Sequence, residues 1–216
     1  MEIFKPQVTL LSVTPDAEKL IEEAGRTCYL SLFRITEGSS DNFIKAAVRR
    51  GHESILEHAS AVFRITGASR SFTHQLVRHR IAGYSQQSQR YVDETDFNYI
   101  VPPQIAANPE ALTVYRDFMQ AAKAAYGELR DMGVLKEDAR FVLPNGLESQ
   151  IVFSANFREL RHVFALRLEK AAQWEIRSVC LAMLKIMQQN APAVFGDFII
   201  NEEEQTAVSS FSIKQN

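Results

Sequence analysis

The stretch Arg78-His79-Arg80-Ile81-Ala82-Gly83-Tyr84-Ser85-Gln86-Gln87-Ser88-Gln89-Arg90-Tyr91 is the densest polar run in the chain. Ser69 begins a helix ahead of it that runs through Phe72 and Leu76. Arg78, His79 and Arg80 then fall where that helix ends, and cations suit the negative end of a helix dipole. Gly83 to Gln89 reads as a polar loop. Arginine grips phosphate oxygens with a planar fork, and serine or a loop N–H adds a donor. Glutamine offers one donor and one acceptor to a pyrimidine-like edge.

The charge pattern around this run is uneven. From His58 to Val92 there is no Asp or Glu, and the same 35 residues hold Arg64, Arg70, Arg78, Arg80 and Arg90. With a net charge of -2 overall, the rest of the chain carries -7. Arginine outnumbers lysine 16 to 8, a choice that favours bidentate contacts to carboxylate or phosphate. Chance and surface salt bridges account for the composition as well as an anion site does. The lack of an acidic partner near residues 78–91 favours the anion site.

At 216 residues, 46% hydrophobic and 23% charged, the chain suits one globular domain spanning 1–216. That composition excludes a disordered or fibrous protein. No apolar run reaches the ~18 residues of a membrane span. Met1-Glu2-Ile3-Phe4-Lys5-Pro6 lacks the layout of a signal peptide, so the expectation is a soluble cytoplasmic protein. Two distant cysteines, Cys28 and Cys180, exclude a disulfide framework and a cysteine-based zinc site. The small net charge supplies no global field toward nucleic acid or an anionic membrane.

Helix signals dominate the rest. Thr14-Pro15-Asp16 reads as an N-cap, a first-turn proline and a first-turn acid ahead of Leu20, Ile21 and Ala24. A helix from about Asp41 to Arg50 stops at Gly51. Asn108-Pro109-Glu110 opens a long helix with Leu112, Tyr115, Phe118, Ala122, Ala125 and Leu129 on its apolar face, closed by Gly133. Lys136 to Phe141 suits a short helix, stopped before Pro144. Asn156 with Glu159 forms a capping box for another helix, and a last one spans roughly Ala172 to Gln189. Strand signals are few: alternation through Ala59, Ala61, Phe63 and Ile65, and the short run Ile151-Val152-Phe153. Thr206 to Asn216 reads as a polar tail. Many helices and few strands predict a mixed α+β protein, with α/β character and a small sheet.

The pattern Arg78-His79-Arg80, seven residues, Ser88, then Gln89-Arg90-Tyr91 resembles the signature of the flavin-dependent thymidylate synthases. Further blocks are similar in the family's order: Gly51-His52-Glu53-Ser54 with Glu57-His58, Ala139 to Pro144, Asn156 to His162 with Leu166-Arg167, and Gln173 to Arg177. The likeness covers about residues 10 to 200. It implies a small antiparallel-rich sheet flanked by long helices. It also implies reductive methylation of dUMP to dTMP, with 5,10-methylenetetrahydrofolate giving the carbon and FAD, reduced by NADPH, giving the hydride. Family members are homotetramers with active sites shared between subunits.

By the same resemblance Arg167 favours ionisation of the uracil N3, with His52 and Ser88 also in the catalytic set. The dUMP contacts would be Gln75, Arg78, Gln86, Gln87, Ser88, Gln89, Arg90, Arg140 and Arg167. The FAD contacts would be Ser54, Arg78, His79, Arg80, Gln86, Asn156, Arg158 and His162. Gln86 stands where some members have an acid, so a hydrogen-bonding role survives there and a carboxylate role does not. Ser88 reads as a ligand contact, with a nucleophilic role the lesser alternative.

The residues themselves agree with a route that needs no thiolate. Neither Cys28 nor Cys180 follows a proline, as the nucleophile of the cysteine-dependent thymidylate synthases does. A fixed cation at the base edge is the other way to draw density from C5, and it acts through electrostatic preorganisation. The nine glycines never fall two apart, so there is no Gly-x-Gly-x-x-Gly loop and a diphosphate must be held by side chains. Arg158 and His162 share a helical face. Arg167, nine residues beyond Arg158, lies roughly 180° around. Either the helix bends or its two faces serve different sites. His52-Glu53 with His58 fails the zincin spacing, so no metal site is expected. Two rivals remain open at this point: a nucleic-acid-binding module, disfavoured by a pI near 6.2, and a nucleotide-binding protein without catalysis.

Overall fold

The computed structural model describes residues 6–211. The start of the chain, used above against a leader, and the end of the polar tail lie mostly outside the described residues. In chain order the elements are β1 (Gln7–Val13), α1 (Ala17–Thr27), α2 (Ser39–Arg49), β2 (Ser60–Ser69), α3 (Arg70–Leu76), β3 (Gly83–Gln86), α4 (Pro103–Ala106) and α5 (Pro109–Asp131). They continue with α6 (Lys136–Ala139), β4 (Glu148–Asn156), α7 (Phe157–Arg167), α8 (Trp174–Asn190), α9 (Pro192–Phe195), β5 (Phe198–Asn201) and β6 (Thr206–Ser209). Short 3₁₀ turns cover Leu32–Arg34, Glu53–His58 and Arg140–Val142. One sheet has the order β1-β2-β4-β3, and β5 pairs antiparallel with β6. This is the α+β class with small sheets among helices.

The cap chemistry expected from the sequence is present at three helices. The Ser69 hydroxyl accepts the Phe72 N–H at 3.1 Å, Asn108 accepts from Glu110 and Ala111, and Asn156 accepts from Glu159 at 2.8 Å. Each satisfies an N–H that the first helical turn leaves orphaned. The first helix departs from expectation. Its N-cap is Asp16, at φ 47°, and Thr14 instead exchanges hydrogen bonds with the Ser60 backbone. A tertiary partner thus outbids a local cap.

Most strands, β1 and β5 among them, were hidden or shortened in the sequence. Residues 83–86, read as loop, form β3 at the sheet margin; an edge strand needs no apolar alternation, and this one is Gly-Tyr-Ser-Gln. The run at Ile151 extends to nine residues, burying Ser149, Ile151, Phe153 and Ala155, only two of them large. Thr206–Ser209, read as tail, is β6, paired with Phe198–Asn201.

The chain divides into two compact units. Among the described residues, the first comprises 6–7, 65–78 and 85–151. Its core gathers Phe97, Met119, Ala122 and Leu147 with Tyr99, Tyr115 and Leu143. The face of α5 that is buried is Met119, Ala122 and Tyr126, whereas Phe118, expected inward, is 57% exposed. Gly146 lies against α5 so closely that a Cβ there would overlap the Tyr115 hydroxyl, which donates to the Ile100 carbonyl at 2.7 Å.

The second unit comprises, among the described residues, 8–64, 79–84 and 152–211. Its core contains the edge-to-face rings of Phe157, Phe164, Phe195 and Phe198, with centroids 5.3–6.2 Å apart. Arg161 on α7 is buried among them. It forks onto Asp197 at 2.6 and 2.9 Å, donates to the Val194 carbonyl, and stacks over Phe198 at 5.0 Å. Ser209 on β6 also donates to Asp197, so one ion pair ties α7 to the β5–β6 hairpin.

Candidate active site

In the second unit, α7 presents two arginines toward different neighbours. Its first turn begins at Asn156, so Arg158 points outward and pairs with Glu57 at 2.5 Å. Half a helical circuit away, Arg167 at the last turn is half-buried, and its Nε donates to His79 Nε2 at 2.9 Å. The helix is continuous between them, so its two faces do serve different partners.

His79 is 4% exposed. Its Nδ1 faces Glu159 Oε1 at 3.5 Å, and its ring meets His162 edge-on at 5.9 Å. Burial drives its pKa down to about 4, and the nearby charges of Arg167 and His162 push the same way. The imidazole is therefore neutral at neutral pH and offers no positive charge to an anion. Burial also raises the Glu159 carboxyl. The Tyr84 hydroxyl donates to the His79 carbonyl at 2.6 Å, and burial, followed by the Glu159 charge, lifts that phenol to about 12.

A cavity of about 520 Å³ opens beside this cluster, lined by Glu53, Glu57, Ile81, Asn156, Arg158, Glu159 and His162. That volume lies within the range of small-molecule sites. Three of the residues matched to cofactor binding, Asn156, Arg158 and His162, line it together. Ser54, Arg80 and His52 are exposed on the same unit. The lining fits a flavin nucleotide by its chemistry. It has cationic and amide donors for phosphate, carboxylate acceptors for ribityl hydroxyls, and Ile81 for an apolar ring edge.

The first unit holds most of the residues matched to the nucleotide. Gln75 lies on α3, and Arg78 follows it, exposed. Gln86 donates to Thr73 at 2.8 Å and to Ser149 at 3.4 Å. Gln87 donates to the buried Glu94 at 2.9 Å. The Ser88 hydroxyl accepts the Arg90 N–H at 3.3 Å, bending the chain through Ser88-Gln89-Arg90. Arg90 pairs with Glu137 at 2.8 Å, and Arg140 donates to the Glu137 carbonyl at 3.0 Å.

Glu137 thus gathers two arginines that lie 50 residues apart in the chain. Glu137 lies 46 residues beyond Tyr91, so the local charge pattern around residues 78–91 does not reveal it. Glu94 and Glu137 supply the carboxylates that local sequence lacks, so the absence of nearby acids does not separate an anion site from a paired surface. A second cavity of about 230 Å³ is lined by Gln87, Asp93, Glu94, Asp96 and Glu148 among others.

Cys180 is a poor nucleophile here. It is buried and its thiol is pushed up to about 12 by desolvation. Cys28 is exposed at the end of α1, where its thiol lies 3.7 Å from the Ala24 carbonyl.

A family model described as thymidylate synthase complementing protein matches residues 9–193. That stretch contains every candidate residue named above. The chain belongs to the flavin-dependent thymidylate synthase family. Among its relatives, the flavin-dependent thymidylate synthase of Geobacter sulfurreducens is 46% identical over 199 residues, covering 88% of this chain and 86% of the relative. Those of Nitratidesulfovibrio vulgaris and Mycobacteroides abscessus are each 41% identical, covering 88% and 92% of this chain and 86% of each relative. As a member of the flavin-dependent thymidylate synthase family, the chain is an enzyme. Among the described residues, no helix is long and apolar enough to cross a membrane.

Proposed function

We propose that this enzyme converts dUMP to dTMP, with 5,10-methylenetetrahydrofolate as carbon donor and NADPH-reduced FAD as hydride source, in the cytoplasm. Family membership and the placement of Arg167 support the reading. The observation that carries it is a half-buried guanidinium, held through its Nε, in a chain whose buried cysteine keeps its proton.

The net change moves a methylene carbon from the folate onto C5 of the uracil, breaks its bonds to the folate nitrogens so that tetrahydrofolate leaves, releases the C5 proton and adds a hydride to the new carbon. Bound FAD would supply that hydride. Arg167 stabilises the N3-ionised uracil, so that density reaches C5 without a covalent adduct at C6. Gln75, Arg78, Gln86, Gln87, Ser88, Gln89, Arg90 and Arg140 bind the nucleotide phosphate, sugar and base edge. For Arg90 to meet phosphate it exchanges Glu137 for the ligand, a cheap exchange because that pair is largely exposed. Ser54, Arg78, Arg80, Gln86, Asn156, Arg158 and His162 would hold FAD, whereas His79, expected in that set, engages Arg167. His52 stands in the catalytic set by its match to the family.

The whole chain, 1–216, acts as one catalytic domain in this reading. Neither unit is a contiguous segment, since each is assembled from three stretches. Assembly as a homotetramer fits the apolar side chains left uncovered on the single chain. Leu30 is 86% exposed and Phe33 80%, within one loop that also carries Tyr29, Leu32 and Ile35.

The test is direct. Purified protein should carry flavin absorbance and oxidise NADPH faster when dUMP is added, with dTMP formed. Arg167→Ala should abolish dTMP formation while its circular dichroism stays that of the wild type. Wild-type turnover in that variant removes Arg167 from the mechanism.

A further inference from the structure

We infer that His79 is the positioning residue of Arg167, accepting the Arg167 Nε–H on its own Nε2 and so setting the plane of the guanidinium. The inference rests on the reading of Arg167 as the group that meets the uracil.

The geometry leaves little choice of proton placement. A guanidinium has donors and no acceptor. At 2.9 Å, His79 Nε2 must then be the acceptor and carries no hydrogen. A neutral ring therefore keeps its proton on Nδ1, the nitrogen that faces Glu159 at 3.5 Å. Two further neighbours pack on this arrangement. Tyr84 fixes the His79 carbonyl while its own ring stacks on Phe153 at 5.6 Å, and His162 closes one edge. Desolvation keeps the ring neutral, and a protonated ring would both lose its acceptor and repel Arg167.

The consequence for Arg167 is directional. Guanidinium is planar, so anchoring Nε–H fixes where the terminal amino groups point. A preorganised cation acts best when it needs no rotation at the moment of reaction. His79 thus belongs with Arg167, although the sequence pattern sets it between two arginines as though all three gripped one anion.

Nitrogen NMR on wild-type holoenzyme with labelled histidine tests this without any turnover. We expect the His79 signals of a neutral ring protonated on Nδ1 and bare on Nε2 at neutral pH. A protonated Nε2, in either an imidazolium or the opposite tautomer, overturns the inference and leaves the reading of Arg167 intact.

Variants give the functional arm. His79→Leu should lower kcat on the order of 100-fold, the cost of misaiming a reacting group, while flavin content and thermal midpoint stay near wild type. His79→Gln, which keeps an acceptor oxygen, should recover much of that loss. In an Arg167→Lys background there is no Nε–H to hold, so His79→Leu should cost nothing further. A further tenfold loss in that background, or loss of flavin from folded His79→Leu, overturns the inference. If Arg167→Ala keeps full activity, the mechanistic reading falls while the tautomer result still stands.

Discussion

The value of Arg167 depends on where its planar guanidinium is aimed. His79 is where titration matters. In the unfolded chain its imidazole takes a proton near the ordinary 6.5, while in the fold it resists until about 4. Between those values the unfolded state binds the extra proton, so the stability contributed by His79 is intact above about pH 6.5 and drains as the pH falls toward 4. The loss is at most about 3 kcal/mol. Urea midpoints measured from pH 7 down to 4.5 should drop more steeply for wild type than for His79→Gln. Parallel curves would show that His79 is not the group responsible. Arg167 was legible in the sequence through its motif. The neutrality of His79 was not, because it comes from burial among residues 80 or more positions away.

At the level of elements, two contacts carry testable cost. The Arg161–Asp197 pair is buried, and removing one partner strands the other charge. Arg161→Ala should destabilise by about 3–5 kcal/mol. A double change to a matched apolar pair should cost far less. Chemical denaturation of both variants checks this, and a loss under 1 kcal/mol for the single change would mean that water reaches Asp197. In the first unit, Gly146→Ala places a methyl group on the Tyr115 hydroxyl. That overpacking should cost about 1–3 kcal/mol. Adding Tyr115→Phe removes the overlapping oxygen and should return part of the stability, so equal costs with and without it would point to a backbone cause.

Elements also show where local reading stops. The caps at Ser69, Asn108 and Asn156 were readable because donor and acceptor lie within three residues. The strand β3 was not, because its partner strand begins 62 residues after it ends and its own side chains are polar.

For the whole molecule, the proposed homotetramer predicts a solution mass about four times 24.4 kDa. Sedimentation equilibrium checks it. Replacing Leu30 and Phe33 by serine should shift the population toward smaller species, and an unchanged tetramer would exclude that loop from the interface. The sequence by itself determined the class of fold, most of the helix boundaries and the motifs that carry the family likeness. Those signals are written in helical periodicity, caps and fixed spacings that span a few residues each. Only the tertiary structure decided which charges meet. Arg90 finds Glu137 across 47 positions, Arg167 finds His79 across 88, and Arg158 finds Glu57 across 101. A local pattern cannot encode such pairings, because they form only when packing of distant elements brings the groups within hydrogen-bonding reach.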